Sequence, residues 1–274
     1  MVDSVASAIR DAAARLASAS DTPRLDAELL MAHALGISRE TMLLRHIADP
    51  EPPGFASLVA RRARHEPLAY ITGHRDFWTI TLDVRPGVLI PRPDSETLIE
   101  AAVAHFGAAG PRRILDLGTG SGALLLAALA EWPSATGVGV DRSDVALAVT
   151  GANADRLGLG QRTALRKGDW GVGIDEAFDL VLCNPPYIEQ AAPLPPDVAD
   201  FEPAEALFAG ADGLDDYRRL APQLPRLIAR GGMAAVEIGA DQAEAVRDIF
   251  ANHALMMKVE KDLAGRDRCI VATH

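Results

Sequence analysis

The sequence predicts an α/β domain with a mostly parallel, seven-stranded sheet and helices on both faces, preceded by a small helical bundle and a β-hairpin linker. Three observations predict it. The first seventy residues or so carry only helix-period apolar patterns joined by short connections, as in a compact bundle. A period-two segment with turn residues follows. From Arg112 onward, strand and helix patterns alternate, which implies a parallel sheet covered on both sides. The expected boundaries are 1–75 for the helical domain, 76–90 for the hairpin linker and 91–274 for the α/β domain.

The elements follow in order. "VASAIRDAAARLAS" is Ala-rich with apolar residues at helical spacing, and "RLDAELLMAHALGI" follows with Pro23 near its start and Gly36 near its end. "FASLVARRARHEPLAYITG" predicts a third amphipathic helix that stops around Glu66-Pro67. Next, Phe77, Thr79, Thr81 and Asp83 alternate with Trp78, Ile80, Leu82 and Val84, which reads as a strand, with Pro86-Gly87 as the turn into "VLI". In the α/β part the strands are "RILDLG", "TGVGVD", "TALRKGD", "FDLVLC", "MAAVEIG", "LMMKVEKD" and "DRCIVAT". The helices are "ALLLAALAEW", "DVALAVTGANADRLG", a long one over "LDDYRRLAPQLPRLIARG" stopped by Gly231-Gly232, and "DQAEAVRDIFANH". Residues 188–205 form the longest irregular piece, and a loop of that length in a compact domain is more often functional than idle.

Composition narrows the class. The chain is 49% hydrophobic and 24% charged, with a net charge of −11. Residues 1–78 hold nine basic and ten acidic groups, so about −10 falls on the remainder. No basic footprint for a phosphate backbone is visible apart from "RRAR" at 61–64, read as a solvated helix face, so no stable nucleic-acid binding is expected. Cys183 and Cys269 have no metal-ligand spacing, no metal is expected, and so few cysteines suit a reducing cytoplasm. Asp3, Arg10 and Asp11 argue against a signal peptide, and "ALLLAALA", the longest apolar run, is far short of the roughly 18–20 residues that span a bilayer. A cytoplasmic monomer without membrane attachment is expected.

Chemistry enters with "DLGTGSG", Asp116 to Gly122, at a strand-to-helix turn. Gly118, Thr119, Gly120, Ser121 and Gly122 let the backbone approach a ligand where the following helix presents free N–H groups. Asp141 ends the next strand, where an acid binds both hydroxyls of a ribose. Gly118, Gly120 and Ala123 also satisfy the loose dinucleotide fingerprint, so NAD stays open at this point. Two features favour S-adenosyl-L-methionine. The Asp116 carboxylate faces a cationic group better than a pyrophosphate, and Asp169 and Trp170 stand where an adenine is hydrogen-bonded and packed.

"VLCNPPYIEQ" then ends a strand with two prolines. The acid-flanked glycine loop, Asp141, Asp169 and the Asn-Pro-Pro-Tyr run together resemble the Rossmann-like methyltransferases over residues 112–274. In that class the resemblance implies methylation of a nitrogen conjugated to a π-system. Such a nitrogen is planar and a poor nucleophile. The Asn184 side-chain carbonyl and the Pro185 backbone carbonyl can accept its two N–H hydrogens and orient it. Pro186 stiffens Pro185, and Tyr187 can stack on the flat substrate group. Asn184, Pro185 and Tyr187 are therefore the expected catalytic residues, with Pro186 beside them in the substrate wall and Asn184 also at the cofactor. No general base is evident, because the seven histidines show no motif spacing.

The motif serves adenine, guanine and glutamine alike; its neighbours choose. "PLAYITGHRDFW" (67–78), "LIPRPDSE" (89–96), "DLGTGSGA", "NPPYI" and "FEPAEAL" (201–207), with the helical N-terminal region, resemble the release factor glutamine methyltransferases over nearly the whole chain. The one mild departure is Ser95, where the family pattern usually has Thr. The resemblance implies that the helical domain 1–75 binds peptide chain release factors and that the α/β domain methylates the glutamine of their Gly-Gly-Gln motif. An acidic domain also suits a protein partner better than naked phosphate. The alternatives are a methyltransferase for an exocyclic base amine of RNA or DNA, a non-catalytic binding module that keeps the cofactor fold, and an NAD enzyme.

Overall fold

A computed structural model describes residues 4–274; Asp3, one of the charges that argue against a signal peptide, lies outside them. The chain forms two compact units: residues up to His74 with the later segment Leu194–Phe201, and Arg75–Pro193 with Glu202–His274.

The first unit is helical. α1 (Val5–Leu16) starts at Ser4, whose hydroxyl accepts the Ser7 N–H, and α2 (Pro23–Leu35) begins on proline and ends at Gly36 with φ +67°. α3 (Arg39–Thr41) is capped by Ser38 and runs on as a π-helical turn, Met42–His46, an element the sequence patterns do not announce. α4 (Phe55–Arg62) and α5 (Leu68–Thr72) complete the unit around Ile9, Leu16, Leu30, Met31, Met42 and Phe55. The single helix expected over 55–66 therefore ends earlier and is followed by a second one, because Pro67 lacks the N–H to continue a helix but starts one well. Nor is "RRAR" simply a solvated face: Arg62 is buried and its Nε donates to Asp26 at 2.7 Å.

β1 (His74–Phe77) and β2 (Ile80–Asp83) form the hairpin, but its turn is Trp78-Thr79 and not Pro86-Gly87. Trp78 sits at φ +54°, held by its N–H donating to Glu96 Oε1 at 2.8 Å and its indole N–H donating to Glu131 at 3.0 Å. Distant carboxylates thus override the local turn signal. Residues 88–90 form no strand.

The second unit continues with α6 (Glu96–Phe106), β3 (Arg113–Leu117), α7 (Ala123–Glu131), β4 (Thr136–Asp141), α8 (Asp144–Arg156), β5 (Thr163–Lys167) and β6 (Phe178–Cys183). After α9 (Pro196–Ala199), which belongs to the first unit, come α10 (Asp215–Leu220), α11 (Leu224–Leu227), β7 (Ile228–Glu237), α12 (Ala243–Ala251), β8 (Met256–Lys261) and β9 (Asp267–Thr273). The sheet has seven strands in the order β5-β4-β3-β6-β7-β9-β8, parallel except at β9, which runs antiparallel to both its neighbours. Alternate residues of β6 feed two cores: Leu180 and Leu182 join Leu98, Leu125 and Leu129, whereas Val181 and Cys183 join Tyr217, Leu224 and Phe250.

The long helix expected over 214–231 is also corrected. It is two short helices, α10 and α11, and β7 runs straight through Gly231-Gly232. A Cβ at Gly232 would stand 2.5 Å from the carbonyl oxygen of Asp179 on β6, and the β6–β7 register shifts there. The glycines are a close strand–strand approach, not a helix stop.

Candidate active site

In this strand order the connection after β3 leads to one side of the sheet and β6 lies on the other, so a crevice opens outside their carboxyl ends. An open cleft lies there. Gly118, Gly120, Asp141, Asp169, Trp170, Asn184 and Pro186 line it together, from four different strand ends.

The glycine loop is closed on the sheet by Gly118 N–H and Thr119 N–H, which both donate to the Val140 carbonyl, at 2.8 and 3.0 Å. A Cβ on Gly118 would stand 3.1 Å from the Trp170 ring, which therefore lies over the loop. Asp141 Oδ2 accepts Gly120 N–H and Oδ1 accepts Ser143 N–H, each at 2.9 Å, so the carboxylate is locked while further lone pairs remain available to a diol. Thr119, Ser121 and Gly122 stand behind the lining. Thr119 donates its hydroxyl to Asp116 Oδ2 at 2.7 Å, the Ser121 carbonyl accepts Asn153 Nδ2 at 3.0 Å, and Gly122, at φ +86°, packs against Leu126 and Thr150.

Asp116 is buried, with Oδ1 unpartnered. Burial pushes its pKa up to about 7; the Thr119 hydrogen bond pulls the other way, and the nearby Asp141 charge adds to the rise. On the far side of the cleft, Trp170 sits at φ +51°, rare for an aromatic, and donates its indole N–H to Asp216 at 3.2 Å. Asp169 is ion-paired with Arg219, which also reaches Asp216 at 3.0 Å.

At the acceptor end, Asn184 Nδ2 donates to the buried hydroxyl of Ser95 at 3.2 Å. Pro185 is buried, and Tyr187 turns inward to donate its hydroxyl to Glu237 Oε1 at 3.2 Å; neither lines the cleft. Burial, with the Glu237 charge beside it, raises the Tyr187 pKa far above the ordinary phenol range. Two segments singled out in the sequence meet here. Glu202 of "FEPAEAL" accepts the Ile90 N–H at 3.1 Å and pairs with Arg92 of "LIPRPDSE", while Pro203, Glu205 and Ala206 line the cleft opposite Gly87 to Leu89.

Sequence reasoning missed Glu237, Glu202 as a clamp, and the Arg219–Asp216 pair. The available signal for Glu237 was an acid closing the apolar strand "MAAVE". Among the described residues, no group of three or more His, Cys, Asp or Glu is placed to hold a metal ion, and no helix is long and apolar enough to cross a membrane.

Residues 7–73 match the model of the PrmC N-terminal domain, and residues 94–200 that of the methyltransferase small domain. The chain is 45% identical to the release factor glutamine methyltransferase of Rhodospirillum rubrum, over 92% of this chain and 79% of that one. The chain belongs to the release factor glutamine methyltransferase family. Another member, from Cereibacter sphaeroides, is 42% identical over 97% of both chains. The fold is shared more widely. A 16S rRNA N2 G1207 methyltransferase of T. thermophilus, solved with AdoMet and guanosine, aligns with a TM-score of 0.52 at 19% identity, covering 73% of this chain and 49% of that one. Family membership thus includes the helical unit as well as the α/β unit, whereas the wider likeness is one of fold alone.

Proposed function

We propose that this enzyme transfers a methyl group from S-adenosyl-L-methionine to the side-chain amide nitrogen of the glutamine in the Gly-Gly-Gln motif of peptide chain release factors. The observation that carries the reading is the placement of Asn184 at the switch point, beside the glycine loop and Asp141, in a chain of this family.

The residues present fit the cofactor. The unpartnered, buried Asp116 Oδ1 calls for a donor, and a cationic amino group supplies one. Gly118 and Gly120 leave room for close approach, Asp141 is fixed for a ribose diol, and Asp169 and Trp170 suit an adenine. When bound, S-adenosyl-L-methionine supplies an electrophilic methyl on a sulfonium.

The chain's own residues do the rest. An amide nitrogen is planar because its lone pair is delocalised. Asn184 Oδ1 has no partner among the described residues and serves as one acceptor for the amide N–H groups; the Pro185 carbonyl serves as the other. Two fixed acceptors hold the nitrogen in line with the methyl and favour its pyramidal form in the transition state. Tyr187, anchored to Glu237, braces the Pro-Pro turn. The methylated amide nitrogen is strongly acidic and gives its proton to water.

The test uses purified release factor and methyl-labelled cofactor. Label enters the wild-type Gly-Gly-Gln substrate and not its Gln→Ala variant. Equal label in both ends this reading; label on RNA or DNA with none on release factor replaces it with the nucleobase-amine reading.

A further inference from the structure

Gln242 stands at the N-cap of α12, a position that Ser, Thr, Asp or Asn usually fills, yet its side chain caps nothing in its own helix. It reaches back under the Asn-Pro-Pro-Tyr turn instead. Its Nε2 donates to the Tyr187 carbonyl at 2.9 Å and, at the longer distance of 3.4 Å, to the Gly213 carbonyl. Its Oε1 accepts the Gly239 N–H at 3.0 Å, with the Tyr217 hydroxyl 3.4 Å from the same oxygen. The backbone partners fix which way the amide points. A peptide N–H only donates and a peptide carbonyl only accepts, so a flipped amide would set N–H against N–H at Gly239 and oxygen against oxygen at Tyr187.

The space is shaped for this side chain. A Cβ at Gly213, which sits at φ +70°, would stand 2.4 Å from the Tyr187 carbonyl oxygen and 2.9 Å from Gln242 Nε2. A Cβ at Gly239 would stand 2.8 Å from Gln242 Oε1. One amide thus joins the segment after β6, the segment before α10 and the turn after β7.

The geometry of the acceptor turn depends on that junction. Asn184 leaves β6 directly after Cys183, which is paired in register with Val236. Pro185 and Pro186 have φ fixed by their rings. The direction of the Pro185 carbonyl is then set by what holds the two ends of the run, the strand on one side and Tyr187 on the other. Tyr187 is held twice: its hydroxyl donates to Glu237 Oε1 at 3.2 Å, and its carbonyl accepts from Gln242. Beyond it, Ile188 N–H donates to the Leu207 carbonyl and the Ile188 carbonyl accepts the Ala209 N–H, each at 2.9 Å.

We infer that Gln242 is a positioning residue for methyl transfer: it acts through the Tyr187 carbonyl to hold the Asn-Pro-Pro-Tyr turn in the arrangement that aims Asn184 and the Pro185 carbonyl at the acceptor amide. Gln242 does not itself line the cleft, so its effect passes through the turn. The inference rests on the acceptor roles of Asn184 and Pro185 proposed above.

The test compares two variants of the full-length protein. Gln242→Met keeps the bulk and loses both hydrogen-bonding ends; Gln242→Glu, when ionised, keeps an acceptor for Gly239 and loses the donor to Tyr187. Leu129→Ala, a cavity in the core on the opposite face of the sheet from Tyr187, controls for lost stability. kcat and KM for methyl transfer to release factor, cofactor Kd by calorimetry, and amide hydrogen exchange are measured below the melting temperature of the control. Both Gln242 variants lower kcat roughly 10- to 100-fold, the scale of a misoriented reactive group, with KM and cofactor Kd within about three-fold of wild type. Both also speed exchange over residues 187–190. Leu129→Ala retains at least about half of wild-type kcat and the wild-type exchange of that segment. Wild-type kcat in Gln242→Met overturns the inference, as does a fall that Leu129→Ala shares or that only tracks lost cofactor binding. If Gln242→Met is unfolded at the assay temperature, Gln242→Glu decides by the same criteria. Absence of transfer by the wild type is the failure of the proposed function itself and is read before any variant. Exchange needs no turnover, so the hold on the turn is judged by it in that case as well, and unchanged exchange over 187–190 overturns it.

Discussion

At Asn184 one end of the side chain is used by the framework, its NH₂ donating to Ser95, and its carbonyl is left over, the acceptor proposed above for the substrate amide. Asn184→Ala removes the acceptor without removing anything that holds Gly118, Asp141 or Trp170 in place. Its kcat is expected to fall by about 100-fold or more, the scale seen when a fixed transition-state partner is deleted, with cofactor Kd by calorimetry within about three-fold of wild type. Comparable losses in both would make Asn184 a cofactor residue alone. Seven of the residues that line the cleft, Gly118, Gly120, Asp141, Asp169, Trp170, Asn184 and Pro186, were legible because each sits at a fixed place in a short motif: glycines at a strand-to-helix turn, acids at strand ends, prolines closing a strand. Glu237 and Glu202 were not. Glu202 meets Ile90 across 112 residues and Tyr187 meets Glu237 across 50, and no local spacing records a partner that only sheet order brings near.

Elements follow the same division between local and distant causes. The helix and strand periods of the α/β unit are local, and six of the seven strands fall where alternation and β-propensity put them, while β7 begins five residues early. The hairpin turn and the broken helix before β7 depend on contacts: Trp78 bends because Glu96 and Glu131 hold it, and Gly232 is small because Asp179 passes behind it. Asn153 on α8 shows how much a single element-joining group carries. It is fully buried; its Oδ1 accepts the Asp83 N–H at 2.8 Å, and its Nδ2 donates to the carbonyls of Asp83 and Ser121, both at 3.0 Å. It thus ties β2 and the glycine loop to α8. Asn153→Ala leaves the buried Ser121 carbonyl without its donor and breaks two half-buried bonds to the Asp83 backbone, so a loss of about 1–3 kcal/mol in stability is expected by denaturant unfolding. Cofactor binding should weaken as well, because the Ser121 end of the loop is released. Full stability in this variant would show that water replaces the side chain in all three bonds.

For the whole molecule, the pH dependence of stability turns on two carboxyls that do not ionise easily. Burial raises Asp116 and Glu237 each to about 7, against ordinary values near 4. Between those limits the folded chain holds protons that the unfolded chain has lost, so the slope of unfolding free energy with pH is negative. Their contribution is full below about pH 4 and disappears as pH rises through about 7. Carboxyls with lowered pKa, such as Glu28 and Glu66, act in the opposite direction but finish titrating well below that range. His33, whose pKa is lowered by burial and by neighbouring His74 and Arg61, opposes the trend only up to the ordinary imidazole range. From about pH 6.5 to 7.5 the two carboxyls lead, and above that the thiols of Cys183 and Cys269, pushed up by burial, add to the same slope, so the melting temperature of the cofactor-free protein is expected to fall as pH rises. Asp116→Asn removes one of the two contributions and should flatten the decline between about pH 6.5 and 7.5; Asp116→Asn with Glu237→Gln should nearly abolish it in that interval, leaving the part due to the buried thiols above it. The cofactor separates them in a second way. A cation facing Asp116 favours its ionised form, so binding near pH 7 releases protons, detectable by calorimetry in buffers of different ionisation enthalpy, and cofactor affinity rises with pH in the same interval in which the free protein loses stability. A melting temperature that climbs between pH 6.5 and 8.5, together with binding that releases no protons, would mean that Asp116 is already ionised without the cofactor and that its unpartnered oxygen is matched by water.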